Sequence, residues 1–357
     1  MRAPVWVAAW AAGALAAPGL APETYELTPR AVTWEQLEAS FFDPGWTLPP
    51  AAPAGEDLEA DLRAMLAADL DLEVPRDLRG PAGPERLATF GDLAAFVGAV
   101  ERGDRGEALE DLFAGDRSVR DRWGRLATQL LDDSRLLGDR WDPDRDRDDD
   151  GLVLGDGWDL PRDAAPWDGV GVTPTAEQGA VLVRADLTAF KEVENDYSVY
   201  DDDVGAGYES IGPVRGSLVT ATDPDGLPVA AYRVAFEQDL PWPFGGYDCD
   251  LRVRNRLNAA GELEADIYAT SSDFHWIAGR DRFLPVTTSA GDPVGHLVVR
   301  VYGFDLDGVP DGRKHRKAAL RGSLGNLKRK AEARYAEAGP RDVPGELPLP
   351  PLRGRAD

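Results

Sequence analysis

Val229-Ala230-Ala231-Tyr232-Arg233-Val234-Ala235-Phe236-Glu237 alternates apolar and polar residues, with Ala230, Tyr232, Val234 and Phe236 on one face and Arg233 and Glu237 on the other. A period of two is that of a half-buried strand. The period returns in Cys249–Leu257, where Leu251, Val253 and Leu257 oppose Asp250, Arg252, Arg254 and Arg256. It is weaker in Glu264–Thr270, with Ala265, Ile267 and Ala269 on one side, and recurs in His296–Gly303, with Leu297, Val299 and Val301 together. Asp223-Pro224-Asp225-Gly226, Asn258-Ala259-Ala260-Gly261 and Ser289-Ala290-Gly291-Asp292 supply turns with a glycine where positive φ is tolerated. Connections this short join only antiparallel neighbours.

After the last of these strands, Arg313–Ala338 carries Leu320, Leu324, Leu327, Ala331 and Tyr335 on one helical stripe. An antiparallel meander ending in one long helix is what a helix-grip fold needs: a curved sheet wraps the helix and leaves a hollow between them. The expected class is therefore α+β, a curved antiparallel sheet wrapped on a long C-terminal helix and preceded by an α-helical N-terminal region.

Asp239-Leu240-Pro241-Trp242-Pro243-Phe244-Gly245-Gly246-Tyr247-Asp248 resembles the START-like lipid-binding superfamily, the polyketide cyclase-like or SRPBCC group. Members commonly carry a Trp-Pro, a turn and an Arg-Asp pair here; Tyr247 stands in place of that Arg, followed by Asp248. The resemblance covers residues 181–335 and includes the Ser323-Leu324-Gly325-Asn326-Leu327-Lys328 segment. It implies a lipid or other apolar small molecule held in a cavity under the helix, with no cofactor. The residues expected at that ligand are Tyr232, Trp242, Phe244, Tyr247, Asp248, Phe274, His275, Trp276, Phe283 and Tyr302. Against this stands a solid core filled by the same aromatics, their ordinary use in an α+β domain.

The chain has 357 residues, enough for about two domains. A net charge of -25 argues against nucleic acid as a partner of the whole chain. Basic residues concentrate on the last helix (Arg313, Lys314, Arg316, Lys317, Arg321, Lys328, Arg329, Lys330, Arg334), either as a solvated face paired with the chain's own carboxylates or as a transient membrane contact. Cys249 is the only cysteine, so a disulfide within the chain is excluded; in a strand it reads as a small buried residue.

Residues 1–21 read as a signal peptide, with Arg2, an apolar run and Ala14-Leu15-Ala16, giving a secreted or periplasmic address. Residues 31–138 read as a helical region: Thr33-Trp34-Glu35-Gln36 is a capping box, Leu58, Leu62, Leu66 and Leu70 are four apart, and Thr89 caps a helix carrying Leu93, Phe96, Val97 and Val100. Residues 139–178 read as an acidic linker. Within it Asp146, Asp148 and Asp150 follow the first half of a calcium loop, with Asp156 adjacent and Gly157 where a bidentate carboxylate belongs. The choice there is a structural calcium ion or a self-repelling acidic segment. Val181–Ala189 reads as a strand with no helix pair after it, the domain as residues 179–338, and residues 339–357 as a Pro-rich extended tail.

Two other functions fit the sequence. A cyclase- or hydrolase-like enzyme on the same fold would use Tyr247, Asp248, Asp273 and His275 as acid-base groups. A calcium-stabilised envelope interaction protein would use the acidic stretch and the helical region.

Overall fold

The computed structural model describes residues 24–41, 48, 51–79, 83–102, 124–131, 151–160, 175–198, 208–240, 245–270, 274–306 and 312–355. Their elements begin with β1 (Thr24–Glu26), β2 (Arg30–Ala31), α1 (Trp34–Phe41), α2 (Leu58–Leu66), β3 (Leu72–Glu73), β4 (Arg86–Leu87), α3 (Phe90–Arg102) and α4 (Gly124–Leu131). Then come β5 (Leu152–Leu154), β6 (Trp158–Asp159), β7 (Thr175–Val183), α5 (Leu187–Asn195), β8 (Tyr208–Pro213), β9 (Val219–Thr222) and β10 (Pro228–Leu240). The chain closes with β11 (Gly245–Leu257), β12 (Leu263–Thr270), β13 (Phe274–Thr287), β14 (Pro293–Leu306), α6 (Gly312–Ala338) and β15 (Arg353–Arg355).

The alternating stretches form one sheet of order β2-β9-β10-β11-β12-β13-β14-β7-β5, with β6 also on β7 and β8 also on β10. From β9 to β14 each strand pairs antiparallel with the next, and β14 returns to pair with β7. The first strand of the domain thus lies beside the last, and α6 follows directly, packed on β7, β14 and α5. Leu320, Leu324, Leu327 and Ala331 are buried against Val181, Phe283 and Val298, so the expected stripe grips the sheet as expected.

The structure departs from the sequence reading at three places. The strand expected at Val181–Ala189 ends at Val183, and Asp186 caps α5 by accepting from Ala189 N at 2.7 Å. Apolar alternation ran through the turn by coincidence, hiding an N-cap signal. β13 went unread because Arg280-Asp281-Arg282 interrupts its apolar pattern; its charges find partners on flanking strands and on α2. The Pro-rich end is held against the protein: Leu347 and Leu352 are buried, and β15 pairs with β1.

The N-terminal helices cover the opposite face of the sheet. Leu62, Met65, Leu93, Val97 and Leu130 join Ala180, Leu182, Leu284, Leu297 and Val299 in one core. The expected capping box of Thr33 with Gln36 forms, and Thr89 caps α3 as expected, with the Asp92 carboxylate also accepting from Thr89 N. Gln178 on β7 anchors this layer, accepting from Leu58 N at 3.1 Å and donating to Asp156 O at 2.9 Å. The stretch read as a linker supplies β5 and β6 to β7. Residues 1–21, with the signal-peptide reading, and Asp146, Asp148 and Asp150 lie outside the described residues.

Two glycines test this layering with opposite signs. A Cβ on Gly91, in the first turn of α3, would lie 1.8 Å from the Thr287 carbonyl oxygen, whereas one on Gly322 of α6 meets nothing within 4 Å. Gly91→Ala should lower stability by about 1–3 kcal/mol through overpacking. Gly322→Ala should raise it by up to about 1 kcal/mol through helix propensity. Urea unfolding followed by circular dichroism measures both.

Candidate functional site

The face of the sheet turned toward α6 is divided by one register row. Ala230, Asn255, Ala265, Asp281, Arg300 and Gly179 are successive cross-strand partners from β10 to β7. Three of the six are Ala or Gly, and the room they leave is taken from above: a Cβ on Gly179 would touch the Leu320 side chain at 3.2 Å. The other three are polar and buried. Arg300 donates from Nε to Asp281 Oδ1 at 2.7 Å and from Nη1 to Ser323 Oγ on α6 at 3.1 Å.

α5 completes this polar belt. Lys191 is 0% exposed, and its Nζ donates to Glu194 and, at 2.8 Å, to Asn255 Oδ1. Glu194 also lies 3.7 Å from Arg300, so two cations and two carboxylates neutralise one another. Burial pushes the Asp281 carboxyl up while the Arg300 guanidinium opposes it. Asn195 Oδ1 accepts from Tyr232 Oη at 3.2 Å, extending the belt to β10.

Below the belt the row Leu257, Leu263, Phe283, Val298 and Val181 is fully packed with α5 and α6. Phe283 meets Phe190 edge to face at 4.9 Å. This half of the predicted hollow is solid core. Above the belt the same face carries Val253, Ile267, Gly279 and Tyr302 in one row, which ends at the buried carboxylate of Glu177 on β7, and Leu251 and Ala269 in the next. Ile267, Leu251, Phe236 and Tyr302 here are only partly buried, although β11, β12 and β14 each have a strand on both sides. A Cβ on Gly279 would lie 2.8 Å from Tyr302 Cδ2, so glycine is what lets that ring lie against β13.

The expected ligand residues therefore fall in different places. Tyr302 borders the apolar half, Tyr232 ends the belt, and Phe283 belongs to the solid core. Asp248 is exposed beside the buried Cys249, on the face away from α6, because successive strand residues point to opposite sides; it is removed from the set. Trp242, Phe244 and Asp273 lie outside the described residues. Tyr247 pairs with Gln238, while Phe274 and Trp276 pair with Leu306 and Asp305 across a bulge that includes His275. Asp156 is exposed and gives its backbone carbonyl to Gln178. Among the described residues no three His, Cys, Asp or Glu groups cluster as metal ligands.

Sequence reasoning missed Lys191, Glu194, Asn255, Asp281 and Arg300. Only Asn255 left a signal, a polar residue on the apolar face between Val253 and Leu257.

The belt is asymmetric under mutation. Arg300→Met leaves Asp281 buried without its partner and should cost about 3–5 kcal/mol, whereas adding Asp281→Leu should restore most of the loss. Urea unfolding of the two variants measures this coupling. Cys249, on the upper apolar wall, has its thiol pushed up to about 12 by burial, from 9.0. At pH 8 its reaction with a thiol reagent should be roughly a thousandfold slower in the native than in the unfolded protein.

No family model matches the chain, and no curated protein matches it. Among solved structures it is similar to a STAR-related lipid transfer protein fragment from Xanthomonas axonopodis, at 12% identity and TM-score 0.34, over 51% of this chain and 99% of that one. It is similar to human STARD10 at 9% identity and TM-score 0.33, over 52% and 74% of the two chains. The di-domain ARO/CYC protein BexL is similar at 12% identity and TM-score 0.29, over 46% of this chain and 50% of its own. Likenesses this remote carry no argument about function, and the fold rests on its own strand order. With its first strand returned beside its last and its long final helix laid across both, the region Thr175–Ala338 has a helix-grip fold.

Proposed function

We propose that this protein, in a secreted or periplasmic setting, holds a lipid or other apolar small molecule against the upper half of the α6-facing sheet. The observation that carries the reading is Ile267. It lies on a strand flanked on both sides, on the face turned to α6, and is still only partly buried, with Leu251 and Tyr302 beside it in the same state. Accessible apolar surface on an inward face costs roughly 25 cal/mol per Å², which an apolar ligand recovers by covering it. The polar belt limits how deep such a ligand goes, since Arg300 and Asp281 already satisfy each other there.

Membrane contact through α6 is not part of this reading. Lys328 is engaged with the Leu182 carbonyl and Glu332, and Arg334 with Glu192.

Native mass spectrometry of the purified chain, with organic extraction of its content, tests the proposal. A co-purifying apolar molecule, or saturable binding of a fluorescent fatty acid that Ile267→Trp weakens at least tenfold by filling the space, is the expected result. No bound molecule and no probe binding would remove it.

A further inference from the structure

At the edge of the sheet the β1–β15 ribbon stands beside β8 and the turn Val214–Ser217, and a cleft of about 300 Å³ lies between them. Its walls include Tyr25, Ser210, Pro213, Arg215, Ala235 and Arg355. Among the described residues two arginines and no carboxylate line it, in a chain with 64 Asp and Glu against 39 Lys and Arg. Two guanidinium groups so placed favour negative charge in the cleft of a molecule whose net charge is -25.

Arg215 is held in place from two sides. The turn is closed by Ser217 N donating to Val214 O at 3.1 Å, with Gly216 at φ 74° following Arg215. Its guanidinium carbon lies 4.1 Å from the Tyr25 ring centroid. That ring is fixed in turn: Tyr25 Oη donates to Pro213 O at 2.6 Å, and a Cβ on Gly354 would lie 2.5 Å from Tyr25 Oη. Stacking engages only the flat face of a guanidinium and leaves its N–H edge able to grip two oxygens at once. Among the described residues the Arg215 guanidinium has no ion pair and no hydrogen bond. Arg355 donates from Nη2 to Ser198 O at 3.2 Å.

We propose that this cleft binds an oxyanion, a carboxylate or phosphate, carried on a small molecule whose apolar flank lies on Pro213, Ala235 and Ile211. The site does not depend on the ligand proposed for the inner face.

Calorimetric titration of the full chain with inorganic phosphate and with benzoate, each against chloride at matched ionic strength, tests it. The expected result is saturable binding of at least one anion that weakens tenfold or more in both Arg215→Gln and Arg355→Gln. It should be unchanged in Arg86→Gln, an exposed arginine of the β3–β4 hairpin. Sedimentation with phosphatidylcholine vesicles containing phosphatidic acid separates the sources: Arg215-dependent binding to these vesicles without binding of either free anion assigns the oxyanion to a lipid headgroup. Failure of both anions and of the vesicles to bind, or binding that neither cleft variant changes, overturns the proposal.

Discussion

Lys191 carries a charge to a place that water does not reach, and the arrangement of the domain follows from what that charge requires. An ion taken out of water costs several kcal/mol unless partners surround it. Here they come from four elements: Glu194 on α5 itself, Asn255 on β11 and, through Glu194, the Arg300–Asp281 pair of β14 and β13. Because each partner sits at one register position, a slip of β11, β13 or β14 by one residue would turn a belt residue to the other face. The ionic belt thus specifies register where apolar packing alone would tolerate alternatives.

The belt also separates two kinds of interior. Below it Phe190, Phe283, Leu320 and Leu324 close the space completely. Above it small residues, Ala269 and Gly279, alternate with larger ones that remain partly accessible. The sheet tolerates this openness because its other face is sealed by the N-terminal layer, whose core reaches from Leu58 to Val299. On that face the central strands carry the buried charge pair Arg254–Asp266 and the part-buried pair Arg256–Glu264, and Arg254 lies against the Phe41 ring and pairs with Glu38 of α1.

Much of the architecture was legible because it rests on period and turn chemistry. The faces assigned to Tyr232, Val253, Ile267 and Leu324 hold, and the Thr33 capping box and the Thr89 cap form, since these signals are local. What failed was non-local. β13 carries Arg280, Asp281 and Arg282 in a row, which reads as a loop until strands on both sides supply Asp266, Arg300 and Glu264. α5 was hidden because Val181, Val183, Ala185 and Leu187 keep a strand's alternation across the turn before it. With α5 unread, Lys191 and Glu194 could not be placed, and an expected apolar cavity was drawn through ground that the belt occupies. Asp248 was misplaced by the parity of a single residue beside Cys249.

The chain end that reads as a tail is part of the same constraint. Asp342 accepts from the Leu187 and Thr188 amides, both at 2.8 Å, at the start of α5, where free N–H groups and the helix dipole favour a carboxylate. Arg341 N donates to Asp186, the N-cap, and Arg341 pairs with Glu192 further along the helix. The segment then runs along the helix, burying Leu347 in the α6 core and Leu352 beside Tyr232, and ends at the bridge between Asp196 and Arg353. α5 is therefore held at both ends by residues more than a hundred positions away in sequence. Since α5 delivers Lys191 and Glu194, the geometry of the belt is set from the C-terminus as much as from the sheet. The Pro348, Pro350 and Pro351 that suggest an unstructured end serve this role, because a chain with few accessible conformations loses less entropy when it is laid along a helix.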